Sequence, residues 1–148
     1  MPSSHVSLYV HVVFSTKDRF PFIHASWRPR LHEYIGGCIR GLSAVPLEVG
    51  GVEDHIHFLA SLRAIHTTAD LIREVKKSST KWISETTGTP KFHWQDGYGC
   101  FSVCHSHIEP IRAYIRGQEE HHRQRTFQEE YRSLLDEFGI SFDEKYLW

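Results

Sequence analysis

The sequence predicts an α+β domain, and three patterns of apolar residues support this. Near the start, apolar and polar residues alternate with the period of two that is typical of a strand. Two later segments carry apolar residues at helical spacing, and both are flanked by short strand-like segments. The resulting order is strand, helix, strand, strand, helix, strand, which matches the antiparallel ferredoxin-like split βαβ fold (βαββαβ).

The first half of the chain accounts for four of these elements. The alternation from Val6 to Phe14 predicts the first strand, and Ser26 is a candidate N-cap for the first helix. Pro46 to Val52 is predicted as a short second strand. The third strand, 55–62, follows an acidic turn and has Ile56 and Phe58 on one face. We expect it to be central, with its histidines facing away from the apolar set.

The second half predicts one more helix and strand, followed by two C-terminal helices. Thr67 with Asp70 is a capping box for the second helix, and residues 100–104 form the fourth strand. Pro110 suits the first position of a third helix, and Thr126 caps a fourth. No repeat or linker divides the chain, so we expect a single domain over residues 1–148.

Composition limits the classes of function. Apolar residues make up 40% of the 148, and no apolar run approaches the ~20 needed to cross a membrane. The start, residues 1–5, lacks the regions of a signal peptide, and three widely placed cysteines favour a reduced, cytoplasmic protein. Residues 1–118 carry 13 basic and 10 acidic side chains, so the excess of acidic residues lies in the last 30. The main body can therefore present basic patches to nucleic acid.

Two pairs of polar residues point to chemistry on phosphate. His55 and His57 lie two apart on a strand, so their imidazoles share a face, and Asp54 could orient one of them. Tyr114 and Gln118 lie four apart on the predicted third helix. Two imidazoles and an amide oxygen can hold Mg²⁺ or Mn²⁺ with open positions, beside a tyrosine nucleophile.

Each of these patterns also has a simpler interpretation. The chain has 12 histidines, so a chance His-x-His match at the protein surface is an open alternative. Tyr114 could be a core aromatic of an amphipathic helix. A competing set, residues 104–107, offers one cysteine and two histidines, but it lacks the paired spacing of a zinc site.

Basic residues could track a nucleic-acid backbone near this site, although charged helix faces are usually only solvated. Three of them recur every four residues on the second helix, a fourth lies beside them, and two more follow the first strand. These candidates for DNA binding are Lys17, Arg19, Arg73, Lys76, Lys77 and Lys81.

Several longer motifs, taken in order, resemble one family over nearly the whole chain. They are His11-Val12-Val13-Phe14-Ser15-Thr16-Lys17, Asp54-His55-Ile56-His57-Phe58-Leu59, Lys76-Lys77-Ser78-Ser79 with Trp82, Trp94-Gln95-Asp96-Gly97-Tyr98-Gly99-Cys100-Phe101-Ser102-Val103 and Tyr114-Ile115-Arg116-Gly117-Gln118-Glu119-Glu120-His121-His122. Together they resemble the single-tyrosine HUH transposases of the insertion-sequence 200/605 kind, including domesticated relatives associated with repetitive palindromes.

The resemblance implies a role for each matching position. His55 and His57 would be metal ligands, with Gln118 as the third. Tyr114 would attack single-stranded DNA, form a 5′-phosphotyrosine and release a 3′-hydroxyl. The family further implies recognition of DNA hairpins and a homodimer with merged sheets, often with the tyrosine helix of one subunit completing the metal site of the other. We assign hairpin contact to the basic residues named above by inference, because no motif specifies it.

Two departures from the family pattern and two rival functions remain. Gly117 stands where we expect asparagine, and the glycine would make the tyrosine helix mobile. His105 and His107 replace small polar residues. One rival is a DNA-hairpin binding module without active chemistry. The other is a metal-dependent phosphodiesterase that hydrolyses without a covalent stage.

Overall fold

The computed structural model describes residues 3–148, and its centre is a four-stranded antiparallel sheet. Met1 and Pro2, which begin the segment considered above for a signal peptide, lie outside the described residues. The strands lie in the order β2-β3-β1-β4, so β1 and β3 are central. This order confirms the ferredoxin-like prediction. The bounds are β1 (Leu8–Ser15), β2 (Val45–Gly51), β3 (His55–Leu62) and β4 (Gly99–Val103).

Helices cover both faces of the sheet. Two long helices between the strands pack together and against the apolar face, and three shorter ones follow the last strand on the opposite face. No helix within residues 3–148 is long and apolar enough to span a membrane. The first pair is α1 (Arg28–Gly41) and α2 (Thr68–Thr87), and the C-terminal three are α3 (Ile108–Arg116), α4 (Gln118–Gln124) and α5 (Phe127–Glu137).

Alternation along β3 separates two kinds of interior. Ile56 and Phe58 are fully buried in the main core, which α1 and α2 close. His55 and His57 are also fully buried, but on the other face. The sheet therefore carries the main apolar core on one side, as the period of two predicts, and buried histidines beside a smaller apolar cluster on the other.

Several predicted helix ends are confirmed, whereas one cap is wrong. The side chain of Thr67 accepts a hydrogen bond from the Asp70 amide, and that of Thr126 accepts one from the Glu129 amide. Ser26 does not cap α1, because Trp27 holds the N-cap position without a side-chain bond. A proline in the first turn of α1 lacks an N–H group, which leaves fewer donors that require a cap.

The third predicted helix is divided in two. It begins at Ile108 rather than at Pro110, and it breaks at Gly117, with α4 starting at the next residue. Glycine is a poor helix former, which explains a break at this position. The break places Tyr114 near the end of one helix and Gln118 at the start of the next.

Candidate active site

Each of the two histidines of β3 has a polar partner at its Nδ1 atom. His55 Nδ1 lies 2.7 Å from Asp54 Oδ1, and His57 Nδ1 lies 2.8 Å from Nε2 of His11, on the adjacent strand β1. Asp54 therefore occupies the orienting position that the sequence predicts for it. With both Nδ1 atoms engaged, both Nε2 atoms remain for partners in front of the sheet.

Gln118 reaches one of these histidines across the helix break. Its Oε1 lies 3.2 Å from His55 Nε2 and 3.1 Å from His122 Nε2. Its Nε2 donates to the Tyr114 carbonyl at 3.3 Å, which ties the start of α4 to the end of α3. The amide is almost fully buried, so its oxygen is directed at the imidazoles rather than at solvent.

Tyr114 lies in front of the histidine pair and belongs to the same chain. Its ring packs edge-on against His57, with ring centroids 5.7 Å apart. Its hydroxyl donates a short hydrogen bond to Oε2 of Glu130. Burial, together with the Glu130 carboxylate, raises the pKa of the phenol well above its usual range. The tyrosine is therefore protonated at neutral pH and requires assistance to act as a nucleophile.

Glu130 is the acidic site residue that sequence reasoning missed, along with the histidines His11 and His122. It lies on α5, is only 3% exposed, and places Oε1 3.0 Å from His57 Nε2 and 3.3 Å from His122 Nε2. One signal could have identified it. Glu130 lies on the apolar stripe of α5, three residues after Phe127, and an acidic residue in such a stripe needs a buried polar partner.

The charges of this network depend on one another. Burial, opposed by the Glu130 carboxylate, lowers the pKa of His57. Burial followed by the neighbouring His57 lowers the pKa of His11 to about 3. Burial opposes ionisation of Glu130, but hydrogen bonds from His122 and His57 hold its pKa below the usual range. His122 is desolvated too, yet its bond to Glu130 raises its pKa on balance. The site therefore contains a buried carboxylate surrounded by imidazoles.

The donor atoms suit a divalent cation. One nitrogen or oxygen from each of His55, His122 and Glu130 lies within 4.8 Å of the other two. Imidazole nitrogens with carboxylate and amide oxygens are compatible with Mn²⁺, and the oxygens also with Mg²⁺. This is the one such group of histidine, cysteine and acidic residues within residues 3–148, so the competing cluster at 104–107 does not form a metal site there.

A cavity of about 750 Å³ adjoins the tyrosine and opens toward solvent. β4 and the turn after it form one side, and α5 forms the other. The volume falls within the range of ligand sites in proteins. Its lining includes His11, Phe101, Tyr114, Arg125, Glu130 and Phe138.

The predicted DNA-binding residues lie apart from the histidines. Arg73 is exposed on α2 and pairs with Asp70 at 3.0 Å, and Lys77 and Lys81 are exposed on the same helix. Because α2 covers the apolar face of the sheet, these three side chains lie on the far side from Tyr114.

Lys76, Lys17 and Arg19 are nearer to the ends of β1 and β4. Lys76 Nζ donates to the carbonyls of Gln95 and Gly97 at 2.8 and 2.7 Å, so it braces the loop before β4. Lys17 is exposed, and Arg19 lies over the ring of Trp148. The six candidates therefore do not form one continuous patch with the site.

Comparison with known proteins adds independent information. The family model described as "Transposase IS200 like" matches residues 4–118. A candidate transposase from Deinococcus radiodurans R1 superposes with a TM-score of 0.62 at 16% identity, covering 78% of this chain and 95% of that one. A REP-associated tyrosine transposase bound to a REP hairpin gives 0.57 at 14%, covering 78% and 68%. A search of curated proteins found no significant match.

Proposed function

This chain belongs to the family of IS200-like transposases, and we propose that it cuts and rejoins single-stranded DNA through Tyr114. In the forward step the Tyr114 oxygen bonds to phosphorus as the bond from phosphorus to the 3′-oxygen breaks. The phenol loses its proton, and the departing oxygen gains one to become a 3′-hydroxyl. The reverse step rejoins DNA without ATP, because the phosphotyrosine conserves the phosphodiester bond.

The observation that carries this proposal is the contact of Tyr114 with His57 within one chain, where the two rings pack edge to face and both side chains bond to Glu130. A bound Mg²⁺ or Mn²⁺, held by these histidines with Gln118, would neutralise charge on the scissile phosphate. Asp54 and His11 fix the orientation of the two imidazoles. Glu130 holds the phenol by its hydrogen bond.

We propose hairpin-bearing DNA as the substrate. The REP-associated neighbour binds a REP hairpin, and the main body of this chain carries the excess of basic residues. The candidate contacts remain Lys17, Arg19 and the basic residues of α2. We place the unpaired strand that leads to the reacting phosphate in the cavity beside Tyr114.

We also propose a homodimer with merged sheets, as the resemblance implies. Strands β2 and β4 are the edges of the sheet, so a second sheet would have to join at one of them. Sedimentation equilibrium tests this directly, since a molecular mass near the 17.3 kDa of one chain at all concentrations would exclude the dimer.

The first experiment incubates the protein with hairpin-bearing single-stranded DNA from its own locus, in the presence of Mn²⁺, and separates the products on a denaturing gel. The proposal predicts a protein-linked band that is absent for Tyr114→Phe and present for the matched control Tyr98→Phe. A native gel should show that the two variants bind hairpin equally.

Two other outcomes support the rival functions. Hairpin binding without an adduct in the native sequence favours a binding module. Free cleaved ends that persist in Tyr114→Phe but vanish in His57→Ala favour a hydrolytic phosphodiesterase.

A further inference from the structure

Part of the polar site comes from beyond the segment that defines the family. The family model matches residues 4–118, which include His55, His57, Tyr114 and Gln118. His122 on α4 and Glu130 on α5 lie after this segment, yet both converge on the same imidazoles. The C-terminal helices thus add two potential ligands that the family match does not cover.

The distances from the Glu130 and Gln118 oxygens to the imidazoles are compatible with ligands around one ion. Atoms that share a metal at about 2.1 Å lie roughly 3.0 to 3.5 Å apart when they are neighbours in its coordination shell. Glu130 Oε1 lies 3.0 Å from His57 Nε2, 3.3 Å from His122 Nε2 and 3.5 Å from His55 Nε2. The two contacts of Gln118 Oε1 with imidazoles, at 3.2 and 3.1 Å, fall in the same range.

The charge of Glu130 is met by imidazoles alone among the described residues. Its carboxylate is buried, and its only ion-pair partners among residues 3–148 are the three histidines. No lysine or arginine nitrogen of the described chain lies within 4.0 Å of it. Buried carboxylates are normally paired with a cation or bound to a metal, and a divalent ion among these imidazoles would pair with the carboxylate more strongly than an imidazole does.

We propose that Glu130, with His122 beside it, is a ligand of the metal ion, so that the bound ion ties the C-terminal helices to the sheet. This inference rests on the proposed function for the presence of the metal. The two oxygens of the carboxylate then have separate tasks. Oε1 faces the imidazoles, whereas Oε2 accepts the hydrogen bond from Tyr114 and sets the position of the phenol relative to the ion.

The test is a calorimetric titration of metal-free protein with MnCl₂. The variant Glu130→Gln keeps the shape and removes the charge, and Glu129→Gln is its matched control, an exposed neighbour on the same helix. We expect Glu130→Gln to weaken Mn²⁺ binding at least about 100-fold, because loss of a direct ligand should exceed the roughly 10- to 100-fold effect of an outer partner. Glu129→Gln should bind like the native protein.

A second readout separates a folding defect from a lost ligand. Thermal unfolding is followed in EDTA and again with saturating MnCl₂, and the rise in Tm is compared among the three proteins. We expect the rise to be equal in the native protein and Glu129→Gln, and much smaller in Glu130→Gln. The comparison is made within each protein, so a lower Tm in EDTA does not obscure it.

Either of two results would overturn the inference. Native protein that binds no Mn²⁺ would remove the ligand role altogether. Equal or tighter binding by Glu130→Gln would mean that the carboxylate occupies the metal position instead of completing it. The adduct assay distinguishes the two proposals, because an intact Tyr114 adduct with unchanged Mn²⁺ affinity in Glu130→Gln leaves the function standing. Weakened Mn²⁺ binding in Glu130→Gln, together with no adduct in the native protein, would support the ligand role and contradict the proposed function.

Discussion

Both faces of the sheet are buried, but only one of them buries a network of polar side chains beside its apolar residues. On one face, Phe14 and Phe58 pack against α1 and α2 in an apolar core. On the other, His55 and His57 are buried equally well, yet they are held by hydrogen bonds to Asp54 and His11.

Burial of an apolar side chain and burial of an imidazole have different requirements. An apolar side chain gains free energy simply by leaving water, so its exact neighbours matter less than their volume. A buried imidazole must have a partner for each ring nitrogen, because an unsatisfied one costs about 1 to 3 kcal/mol. Such a set of partners specifies positions closely, and that is what a catalytic site needs.

The largest effect should come from the apolar face. Phe58→Ala leaves a cavity in the main core, and we expect the free energy of unfolding in urea to fall by about 3 to 5 kcal/mol. The folded fraction should still form the Tyr114 adduct at low temperature, because Phe58 faces away from the site. A loss of unfolding free energy below about 1 kcal/mol would contradict the assignment of Phe58 to a tightly packed core.

His57, which precedes Phe58 on β3, tests the face of the sheet that carries the histidines. His57→Ala removes an imidazole in front of Tyr114, and we expect the rate of adduct formation to fall at least about 100-fold, beyond the effect typical of outer partners. His24→Ala, at an exposed position, serves as the control. A His57→Ala protein that is folded and forms adducts at the native rate would contradict the assignment of the site.

A partly buried histidine outside the site makes the stability of the protein depend on pH, which separates a histidine without partners from the paired ones. His32 Nε2 has no hydrogen-bond partner within residues 3–148, and burial followed by the nearby Arg28 lowers the His32 pKa from 6.5 to about 4. The unfolded chain therefore binds more protons between these values, so stability falls as pH falls through this window.

His32→Gln should remove part of that loss. Because the side chain is partly exposed, we expect the difference between pH 7 and pH 4.5 to shrink by on the order of 1 kcal/mol. Urea unfolding at the two pH values measures it. An equal loss of stability in the variant and the native protein would show that His32 does not cause the acid sensitivity.

The smallest expected effect is that of the exposed basic residues on α2, the helix that packs on the apolar face of the sheet. If Lys77 contacts a phosphate of the hairpin, Lys77→Ala should lower the slope of log affinity against log salt by about 1. Fluorescence anisotropy with a labelled hairpin at several salt concentrations gives this slope. An unchanged slope would remove Lys77 from the contact surface.

Local patterns accounted for most of the fold. The bounds of β3 agree with the prediction, and Thr67 and Thr126 cap their helices as the capping boxes indicate. The errors lie where local signals compete. Ser26 has the chemistry of a cap but is displaced by one residue, and Gly117 ends a helix that its neighbours would have continued.

The sequence by itself determined the order of the four strands and the first two helices, the shared face of His55 and His57, and Tyr114 as the candidate nucleophile. These features depend on local spacing along the chain, with a period of two in strands and about four in helices. Only the tertiary structure decided that Glu130 and His122 join them. Their distance along the chain from His57 is large, and the packing of α5 against the sheet, rather than any local period, brings the carboxylate to the imidazoles.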